Sequence, residues 1–284
     1  MSVVESPTPP RILIVGGGYV GLYTALRLAQ RLRHGEATVM VVDPRSYMTY
    51  QPFLPEAGAG SIQPRHTVVP LRQTLREAEV VTGWVTGVEH SRKVATVQPL
   101  EGDSYEIPYD TLVMAVGSVP RTLPIPGLAD WAMGFKNVEE AIALRNRVLE
   151  CLDIAQTATD PEIRERNLTF VFVGGGYAGV EAIAETEDLV RYATRYYSKV
   201  MPEDLRFVLV EATGRILPEV GEEMGRWTVE QLRERGIAVK LETRLESTVG
   251  GHVVLSDGTS MLSDTVVWTA GVRPNPLLES TDLP

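Results

Sequence analysis

Two copies of one glycine-rich loop constrain the fold of this chain more than any other feature. The stretch LIVGGGYVGLY occupies Leu13–Tyr23, and FVFVGGGYAGVE occupies Phe170–Glu181. Each copy contains an apolar strand, the pattern G-x-G-x-x-G and the start of a helix. The first glycines of the two copies, Gly16 and Gly174, lie 158 residues apart. A duplication of this length predicts two domains in tandem, because solenoid repeats are much shorter.

The residues around each loop are typical of a βαβ unit. In the first copy, an apolar strand (Arg11–Val15) precedes a helix with apolar residues at helical spacing (Val20–Arg33), and a second strand (Thr38–Val42) follows. In the second copy the strands are Leu168–Val173 and Phe207–Val210. The sequence therefore predicts an α/β protein with two tandem Rossmann-like dinucleotide-binding domains.

We predict three segments along the chain. Residues 1–122 form the N-terminal part of the first domain, residues 123–272 form the second domain, and residues 273–284 begin a return to the first. The Pro-rich stretch Arg121–Trp131 is the predicted linker between the two domains.

The spacing of the glycines indicates that each loop binds a diphosphate. A dinucleotide diphosphate binds where the N–H groups of a helix start converge and no side chain intervenes. Gly16 permits the tight turn, Gly18 lets the diphosphate approach, and Gly21 lets the helix pack on the strand. The matching positions of the second loop are Gly174, Gly176 and Gly179. A single G-x-G-x-x-G is also compatible with a mere strand–helix turn, and the second copy is what favours nucleotide binding.

An acidic residue at the end of each second strand is expected to hold ribose hydroxyls. Asp43 lies 22 residues beyond the last glycine of the first loop, and Glu211 lies 32 residues beyond that of the second. A carboxylate in this position disfavours a 2′-phosphate. Glu211 therefore predicts NAD(H) rather than NADP(H) as the second nucleotide, although the nearby Arg215 weakens this choice.

Two dinucleotide sites in one chain predict two redox carriers. A tightly bound flavin and an exchanging nicotinamide would pass a hydride between them, while the protein supplies position and electrostatics. We therefore expect an FAD-dependent oxidoreductase that uses NADH. Two alternatives stay open: an NADH-dependent reductase of a small iron–sulfur carrier, and an inactive nucleotide-binding fragment or redox sensor.

Composition argues against several other classes. Lys and Arg total 27 against 37 Asp and Glu, and the resulting net charge of −10 argues against a nucleic-acid-binding protein. No metal-ligand spacing joins the four histidines, so no metal site is predicted. The single cysteine, Cys151, allows no intramolecular disulfide and favours a reducing compartment.

The chain is predicted to be cytoplasmic. Residues 1–10 lack the positive start and apolar core of a signal peptide, and we interpret them as a short disordered segment. The apolar stretches have the length of strands and are interrupted by glycines, so no membrane-spanning helix is expected. Peripheral contact with the inner face of the cell membrane and a homodimer stay open alternatives.

Four further stretches give the chain a resemblance to a known family. They are YQPFLPEAGAG (Tyr50–Gly60), LVMAVGSVPR (Leu112–Arg121), FKNVEEAIALRNRVLE (Phe135–Glu150) and VVWTAGVRPNP (Val266–Pro276). Together with the glycine loops, they resemble the two-dinucleotide-binding-domain flavoproteins, and within these the type II NADH dehydrogenases, the single-chain NADH:quinone oxidoreductases. The resemblance implies FAD in the first domain, NADH in the second and a quinone as electron acceptor.

The resemblance also implies roles for single residues. Gly117 and Ser118 match a turn that contacts FAD, and Gly271 matches a turn near the meeting place of the two cofactor rings. Glu181 matches a catalytic acidic residue near the nicotinamide. A glutamate in the first turn of a helix would also stabilise the helix dipole, so both interpretations of Glu181 stay open.

Pro55 lies in a stretch, Pro52–Glu56, where the disulfide reductases of the superfamily carry redox cysteines. Here the stretch has no thiol, so reduced flavin must pass its electrons to another acceptor, and thioredoxin-, glutathione- and sulfide-type chemistry is disfavoured. We therefore place Pro55 among the catalytic candidates, with a Pro-rich turn that packs on the sheet as the alternative.

The family continues beyond Pro284 with a second FAD contact, quinone-site residues and a C-terminal amphipathic segment. The resemblance therefore implies that the first domain is incomplete and lacks its last parallel strand. We expect an open sheet edge and weakened FAD binding. The chain would then be a fragment of a longer enzyme or a truncated gene product.

Overall fold

The computed structural model describes residues 9–283. The predicted disordered segment, residues 1–10, lies outside this range except for Pro9 and Pro10. The strands of the described residues are β1 (Arg11–Val15), β2 (Thr38–Asp43), β3 (Tyr47–Thr49), β4 (Val68–Pro70), β5 (Glu79–Glu89), β6 (Val94–Pro99), β7 (Tyr105–Pro108), β8 (Thr111–Met114), β9 (Ser118–Pro120), β10 (Ala132–Gly134), β11 (Thr169–Val173), β12 (Arg206–Val210), β13 (Ile237–Lys240), β14 (Leu245–Ser247), β15 (His252–Leu255), β16 (Ser260–Leu262), β17 (Thr265–Trp268) and β18 (Val272–Pro274). The α-helices are α1 (Tyr19–Arg31), α2 (Leu54–Gly58), α3 (Leu71–Thr74), α4 (Leu128–Trp131), α5 (Val138–Thr157), α6 (Pro161–Leu168), α7 (Tyr177–Ala193) and α8 (Glu222–Glu234). Short 3-10 helices lie at Gln51–Phe53, Pro64–Thr67, Thr194–Tyr196, Pro202–Asp204, Val249–Gly251 and Pro276–Ser280.

The chain divides into two compact units. Unit 1 consists of Met1–Thr49, Val68–Val119 and Arg273–Pro284, and unit 2 consists of Tyr50–Thr67 and Pro120–Val272. The segment Tyr50–Thr67, which the sequence prediction assigned to the first domain, belongs to unit 2 because its helix α2 packs against α5 and α7.

Unit 1 is a six-stranded mixed sheet with strand order β7-β6-β5-β2-β1-β8. Strands β5, β2, β1 and β8 pair in parallel, and β5, β6 and β7 form an antiparallel meander. Side chains alternate between the two faces of β1, so Leu13 packs on one face while Ile14 packs with Leu22 of α1 on the other.

Two further features of unit 1 are the edge of its sheet and the segment that follows Val272. Strand β8 lies at one edge of the sheet, and among the described strands it pairs with β1 alone. The segment that follows Val272 belongs to unit 1, where Thr281 forms a parallel bridge with Val88. There the carboxylate of Asp282 accepts hydrogen bonds from the backbone N–H groups of His90 and Ser91.

Unit 2 repeats the Rossmann arrangement with a five-stranded parallel sheet of order β10-β17-β11-β12-β13. A small antiparallel sheet, β14-β15-β16, contributes to the same hydrophobic core. Residues Val171, Val208 and Val266 of the central strands are fully buried in that core, as expected for parallel strands covered on both faces. The predicted α/β class with Rossmann-like sheets is confirmed. Among the helices of residues 9–283, none is long and apolar enough to cross a lipid bilayer.

Candidate nucleotide-binding sites

The first glycine loop joins β1 to α1 in unit 1. Gly16 has a φ of +105°, and a Cβ on this residue would overlap the carbonyl oxygen of Ala115. A Cβ on Gly21 would overlap the carbonyl oxygen of Gly16. The fold itself requires both glycines, because these neighbours are backbone atoms that cannot rotate away. Gly18 is different, since a Cβ there meets no atom within 4 Å.

The second loop lies between β11 and α7 in unit 2, and its glycines fall into the same two kinds. Gly174 has a φ of +119°, and a Cβ on it would lie 2.6 Å from Oγ1 of Thr269. A Cβ on Gly179 would overlap the Gly174 carbonyl oxygen, whereas a Cβ on Gly176 meets nothing within 4 Å. Each loop therefore has two glycines that the fold needs and one that leaves open space where a diphosphate is expected to approach.

The strand-end acids hold the loops directly. Oδ2 of Asp43 accepts a hydrogen bond of 2.6 Å from the N–H of Gly17, and Oε2 of Glu211 accepts one of 2.7 Å from the N–H of Gly175. Burial raises the pKa of the Asp43 carboxyl, and the bond from Gly17 opposes that rise. The sequence indicated these acids as ribose ligands. Their second role, as anchors of the neighbouring glycine loop, was not apparent from spacing alone.

The turn that follows β8 lies beside the first loop within unit 1. The backbone of Ala115 is the close neighbour of Gly16, and Gly117, two residues later, has a φ of +64°. Ser118 begins β9, and both Gly117 and Ser118 are exposed. The structure thus places this predicted FAD-contact turn next to the glycine loop, although the contact with FAD itself stays a prediction.

A cavity of about 730 Å³ lies at the carboxyl ends of the parallel strands of unit 2. Ligands of open α/β sheets bind at this edge. Its lining includes residues of the second glycine loop, the strand-end acid, the turn at Gly271 and residues of neighbouring segments. Among the lining residues are Gly174, Gly175, Gly176, Glu211, Glu219, Thr243, Arg244, Trp268, Thr269 and Gly271. Gly271 has a φ of +81°, and its carbonyl oxygen accepts a hydrogen bond of 3.2 Å from the N–H of Arg121.

The charges around this cavity bear on nucleotide choice. Glu211, Glu219 and Arg244 line it; the two carboxylates would repel a 2′-phosphate, whereas the guanidinium of Arg244 would attract one. Arg215, which weakened the choice of NAD(H), is not among the described residues that line the cavity, and its guanidinium donates to the carbonyl oxygen of Pro218. Two carboxylates and one guanidinium therefore line the cavity, a balance that agrees with the choice of NAD(H) made from the sequence.

Three carboxyl groups of unit 2 interact electrostatically: Glu56, Glu185 and the predicted catalytic residue Glu181. Burial raises the pKa of Glu181 and of Glu185, and in both cases the charge of Glu56 raises the pKa further. Among the described residues, Oε2 of Glu56 is buried without a hydrogen-bond partner. Glu181 is exposed on α7, while Pro55 is buried in the first turn of α2.

Pro55 itself has no group that can donate or accept a proton through its side chain. The neighbouring Glu56 has a carboxyl group that can do so. Its role was not predicted from the sequence, although it lies in the same stretch. The alternative interpretation, a Pro-rich turn packed on the sheet, also needs adjustment. Helix α2 packs, but it packs on helices α5 and α7. Catalytic roles for Pro55 and Glu181 stay predictions.

The sequence profile of the pyridine nucleotide-disulphide oxidoreductases matches residues 10–284. The chain belongs to this family. Its curated relatives include a type II NADH:quinone oxidoreductase of Staphylococcus aureus, 30% identical over 95% of this chain and 67% of the relative. A second is the type II NADH:quinone oxidoreductase of Mycobacterium tuberculosis, 28% identical over 98% of this chain and 62% of the relative.

A third relative is an external alternative NADH-ubiquinone oxidoreductase of Yarrowia lipolytica, 28% identical over 94% of this chain. The chain covers 49% of that protein, so it spans about half to two thirds of the length of the curated relatives it matches. These relatives confirm the resemblance to type II NADH dehydrogenases within the pyridine nucleotide-disulphide oxidoreductase family.

Solved structures of the family share the fold. NDH2 of Plasmodium falciparum, in complex with NADH, matches with a TM-score of 0.89 at 21% identity, covering 96% of this chain and 57% of that protein. An NAD-dependent persulfide reductase of A. fulgidus matches with a TM-score of 0.75 at 24% identity, covering 95% of this chain and 47% of that protein. At these identities the likeness concerns the architecture alone.

The 284 residues contain no pair of cysteines that could form a redox disulfide. The single cysteine, Cys151, is fully buried on α5, where Sγ lies 3.5 Å from Oγ1 of Thr265. Burial raises the pKa of this thiol, which disfavours the reactive thiolate. Any electron acceptor must therefore be something other than a redox-active cysteine pair of this chain.

Proposed function

We propose that this chain carries the two nucleotide sites of an NADH:quinone oxidoreductase, with FAD bound by unit 1 and NADH bound by unit 2. The observation that carries the proposal is the duplicated glycine loop. In each unit the fold requires the outer glycines, the middle glycine leaves open space, and a strand-end acid anchors the loop. The naming of the relatives as type II NADH:quinone oxidoreductases supports quinone as the acceptor.

Unit 1 has the features that an FAD site needs. The N-terminus of α1 follows directly on Gly18, so the first turn of the helix lies where a diphosphate is expected to bind. Asp43 holds its carboxylate at the strand end, where ribose hydroxyls are expected. The turn at Gly117 borders the same loop. We assign Gly16, Gly18 and Gly21, together with these residues, to FAD.

Unit 2 has the features that an NADH site needs. Gly176 caps α7 with no side chain, and the cavity in front of it is large enough for part of a dinucleotide. Glu211 lies at the strand end where ribose hydroxyls are expected, and Glu219 adds a second negative charge against a 2′-phosphate. We assign Gly174, Gly176, Gly179, Glu211 and Gly271 to NADH.

Bound FAD would supply the ring that accepts a hydride from NADH and passes electrons to a quinone. The loops of the chain hold the diphosphates, and the strand-end acids hold the riboses. Glu181 is the proposed proton-holding group of unit 2, because partial desolvation of its exposed position on α7 and the charge of Glu56 both raise the pKa of its carboxyl. Pro55 belongs to the proposal as part of the helix that presents Glu56.

A cytoplasmic location and peripheral contact with the inner face of the membrane complete the proposal. A quinone dissolves in lipid, so an enzyme that reduces it works at the membrane surface. A homodimer is part of the same proposal. The relatives do not favour a reductase of an iron–sulfur carrier or an inactive sensor.

The visible spectrum of the purified chain tests the proposal. We expect a yellow protein whose flavin bands bleach on anaerobic addition of NADH, and NADH oxidation in the presence of a soluble quinone. Asp43→Ala should lower flavin content while Glu211→Ala should weaken NADH binding. A colourless protein after incubation with FAD, or equal effects of the two substitutions on both cofactors, would contradict it.

A further inference from the structure

The first peptide of the second glycine loop is held at both ends. This peptide joins Gly174 to Gly175, and its N–H donates to Oε2 of Glu211 at 2.7 Å. Its carbonyl oxygen, on Gly174, lies 3.2 Å from Oγ1 of Thr269, whose hydroxyl donates to it. The same hydroxyl lies 3.0 Å from the carbonyl oxygen of Val173, so its single proton is shared between two neighbouring acceptors.

A third bond anchors the next peptide of the same loop. The N–H of Leu217 donates to the carbonyl oxygen of Gly175 at 2.7 Å. Leu217 is buried and has a φ of +50°, a conformation that bulky side chains rarely adopt. The loop is thus fixed by contacts from β17, from the end of β12 and from the segment that follows β12.

The first loop offers an internal comparison, because the position that corresponds to Thr269 is Ala115. Both residues follow the strand that pairs with the loop's own strand. The N–H of Ala115 donates to Val15 at 2.8 Å, just as that of Thr269 donates to Val173 at 2.9 Å. Alanine has no hydroxyl.

The corresponding peptide of the first loop, between Gly16 and Gly17, therefore lacks the hydroxyl bond that Thr269 makes in the second loop. Its N–H, on Gly17, donates to Oδ2 of Asp43, and Ala115 offers no hydroxyl to the carbonyl oxygen of Gly16. The two loops have the same glycines and the same strand-end acid. They differ in the clamp on the carbonyl.

We propose that Thr269 is a positioning residue for the second nucleotide. Together with Glu211, its hydroxyl fixes the first peptide of the loop so that the loop keeps its diphosphate-binding shape before the ligand arrives. This inference rests on the proposed function, in which unit 2 takes the coenzyme that exchanges at every turnover. A ligand that must bind repeatedly gains from a loop that needs no ordering, whereas a permanently bound one gains less.

The test uses the full chain, purified with FAD, and three variants of β17 and its end. Thr269→Val removes the hydroxyl and keeps the shape, Thr269→Ser keeps the hydroxyl, and Thr265→Val is the matched control. Thr265 is a fully buried threonine, whereas Thr269 is half-buried, and the hydroxyl of Thr265 contacts Cys151 and not the loop. Calorimetric titration would give the Kd for NADH, ADP-ribose and adenosine, and the absorbance spectrum would give the flavin content.

We expect Thr269→Val to weaken NADH and ADP-ribose by about fivefold, the effect of losing one neutral hydrogen bond. Adenosine, which has no diphosphate, should bind with unchanged Kd. Thr269→Ser and Thr265→Val should bind all three ligands as the unmodified chain does, and the flavin content should be equal throughout. If Thr269→Val does not fold, Thr269→Ala replaces it with the same expectation.

Each contrary outcome has a separate meaning. An unmodified chain that holds FAD but binds neither NADH nor ADP-ribose overturns the proposed function and this inference together. NADH binding that is unchanged in Thr269→Val overturns the inference alone. A loss of adenosine affinity equal to that of NADH, or an equal loss in Thr265→Val, also overturns it, because the effect would then be a general loss of structure.

Discussion

Two alanine substitutions in the second loop should separate the glycine that binds a nucleotide from the glycine that maintains the fold. Gly176→Ala adds a methyl group at the N-cap of α7, where φ is −74° and ψ is 178°. Alanine adopts this extended conformation readily, and its Cβ would meet no atom within 4 Å. We therefore expect the free energy of unfolding to fall by no more than about 1 kcal/mol, the cost of alanine being a poorer N-cap than glycine.

The same methyl group would occupy the space in front of the helix start, where the diphosphate is proposed to bind. Forcing one extra carbon into a filled site costs about 1–3 kcal/mol. The affinity for NADH should therefore fall by roughly 5- to 150-fold, because about 1.4 kcal/mol corresponds to a factor of ten. Gly176→Ala should thus lose binding while it keeps most of its stability.

Gly179→Ala should primarily lower the stability of the fold. Its Cβ would overlap the carbonyl oxygen of Gly174 and lie 2.7 Å from Oγ1 of Thr269, so the helix and the loop must move apart. Alanine gains up to about 1 kcal/mol over glycine within a helix, but the overlap with backbone costs more than that. We expect a net loss of about 2 kcal/mol in stability, and NADH binding should weaken as a consequence of the distorted loop.

Denaturation in urea, followed by tryptophan fluorescence, measures the stability of both variants, and calorimetric titration measures their NADH affinity. The reasoning is refuted if Gly176→Ala unfolds as easily as Gly179→Ala, or if Gly176→Ala binds NADH as the unmodified chain does. Gly18→Ala and Gly21→Ala form the corresponding pair for FAD in unit 1, because their Cβ environments show the same contrast.

Three further predictions concern groups outside the loops. The side chain of Glu187 is only 3% exposed and pairs with Arg191 and Arg235, so Glu187→Ala should lower the free energy of unfolding by about 2 kcal/mol in urea. This is less than for a fully buried pair, since both arginines are partly exposed; a change below about 0.5 kcal/mol would contradict it. The buried Cys151, with its raised thiol pKa, should react with a disulfide reagent at pH 8 only after denaturation, and fast reaction of the native protein would be the contrary result. Backbone N–H groups of the β5–β6 turn lower the pKa of Asp282 to about 2, so its contribution to stability should be complete above about pH 4 and lost as the pH falls towards 2. Acid unfolding curves of Asp282→Asn should lack that contribution, and identical curves would refute it.

Local backbone rules explain why the sequence predicted the loops and sheets correctly. The outer glycines of each loop are needed because backbone atoms lie within overlap distance, and the strand-end acids are placed by the βαβ geometry itself. Such constraints act within one supersecondary unit. They can therefore be recognised from spacing and residue type without knowing which other segments pack nearby.

The features that the sequence did not predict depend on contacts between distant segments. Tyr50–Thr67 was assigned to the first domain by its position along the chain, but α2 finds its packing partners in unit 2. Glu56 is a candidate functional residue because its charge raises the pKa of Glu181, an interaction between two helices that the sequence does not reveal. Thr269 meets Gly174 across 95 residues, and no local pattern marks that contact.

Our proposal for Thr269 places the specification of ligand use outside the glycine motif. The glycines cannot distinguish the two sites, because both sets satisfy the same backbone geometry. What differs is contributed by neighbouring strands: Glu211 with Thr269 in unit 2, against Asp43 with Ala115 in unit 1. A motif of this kind identifies a place where a diphosphate can approach. The residues that face the loop from the adjoining strands then determine how rigid that place is, and so whether it suits a coenzyme that stays or one that leaves.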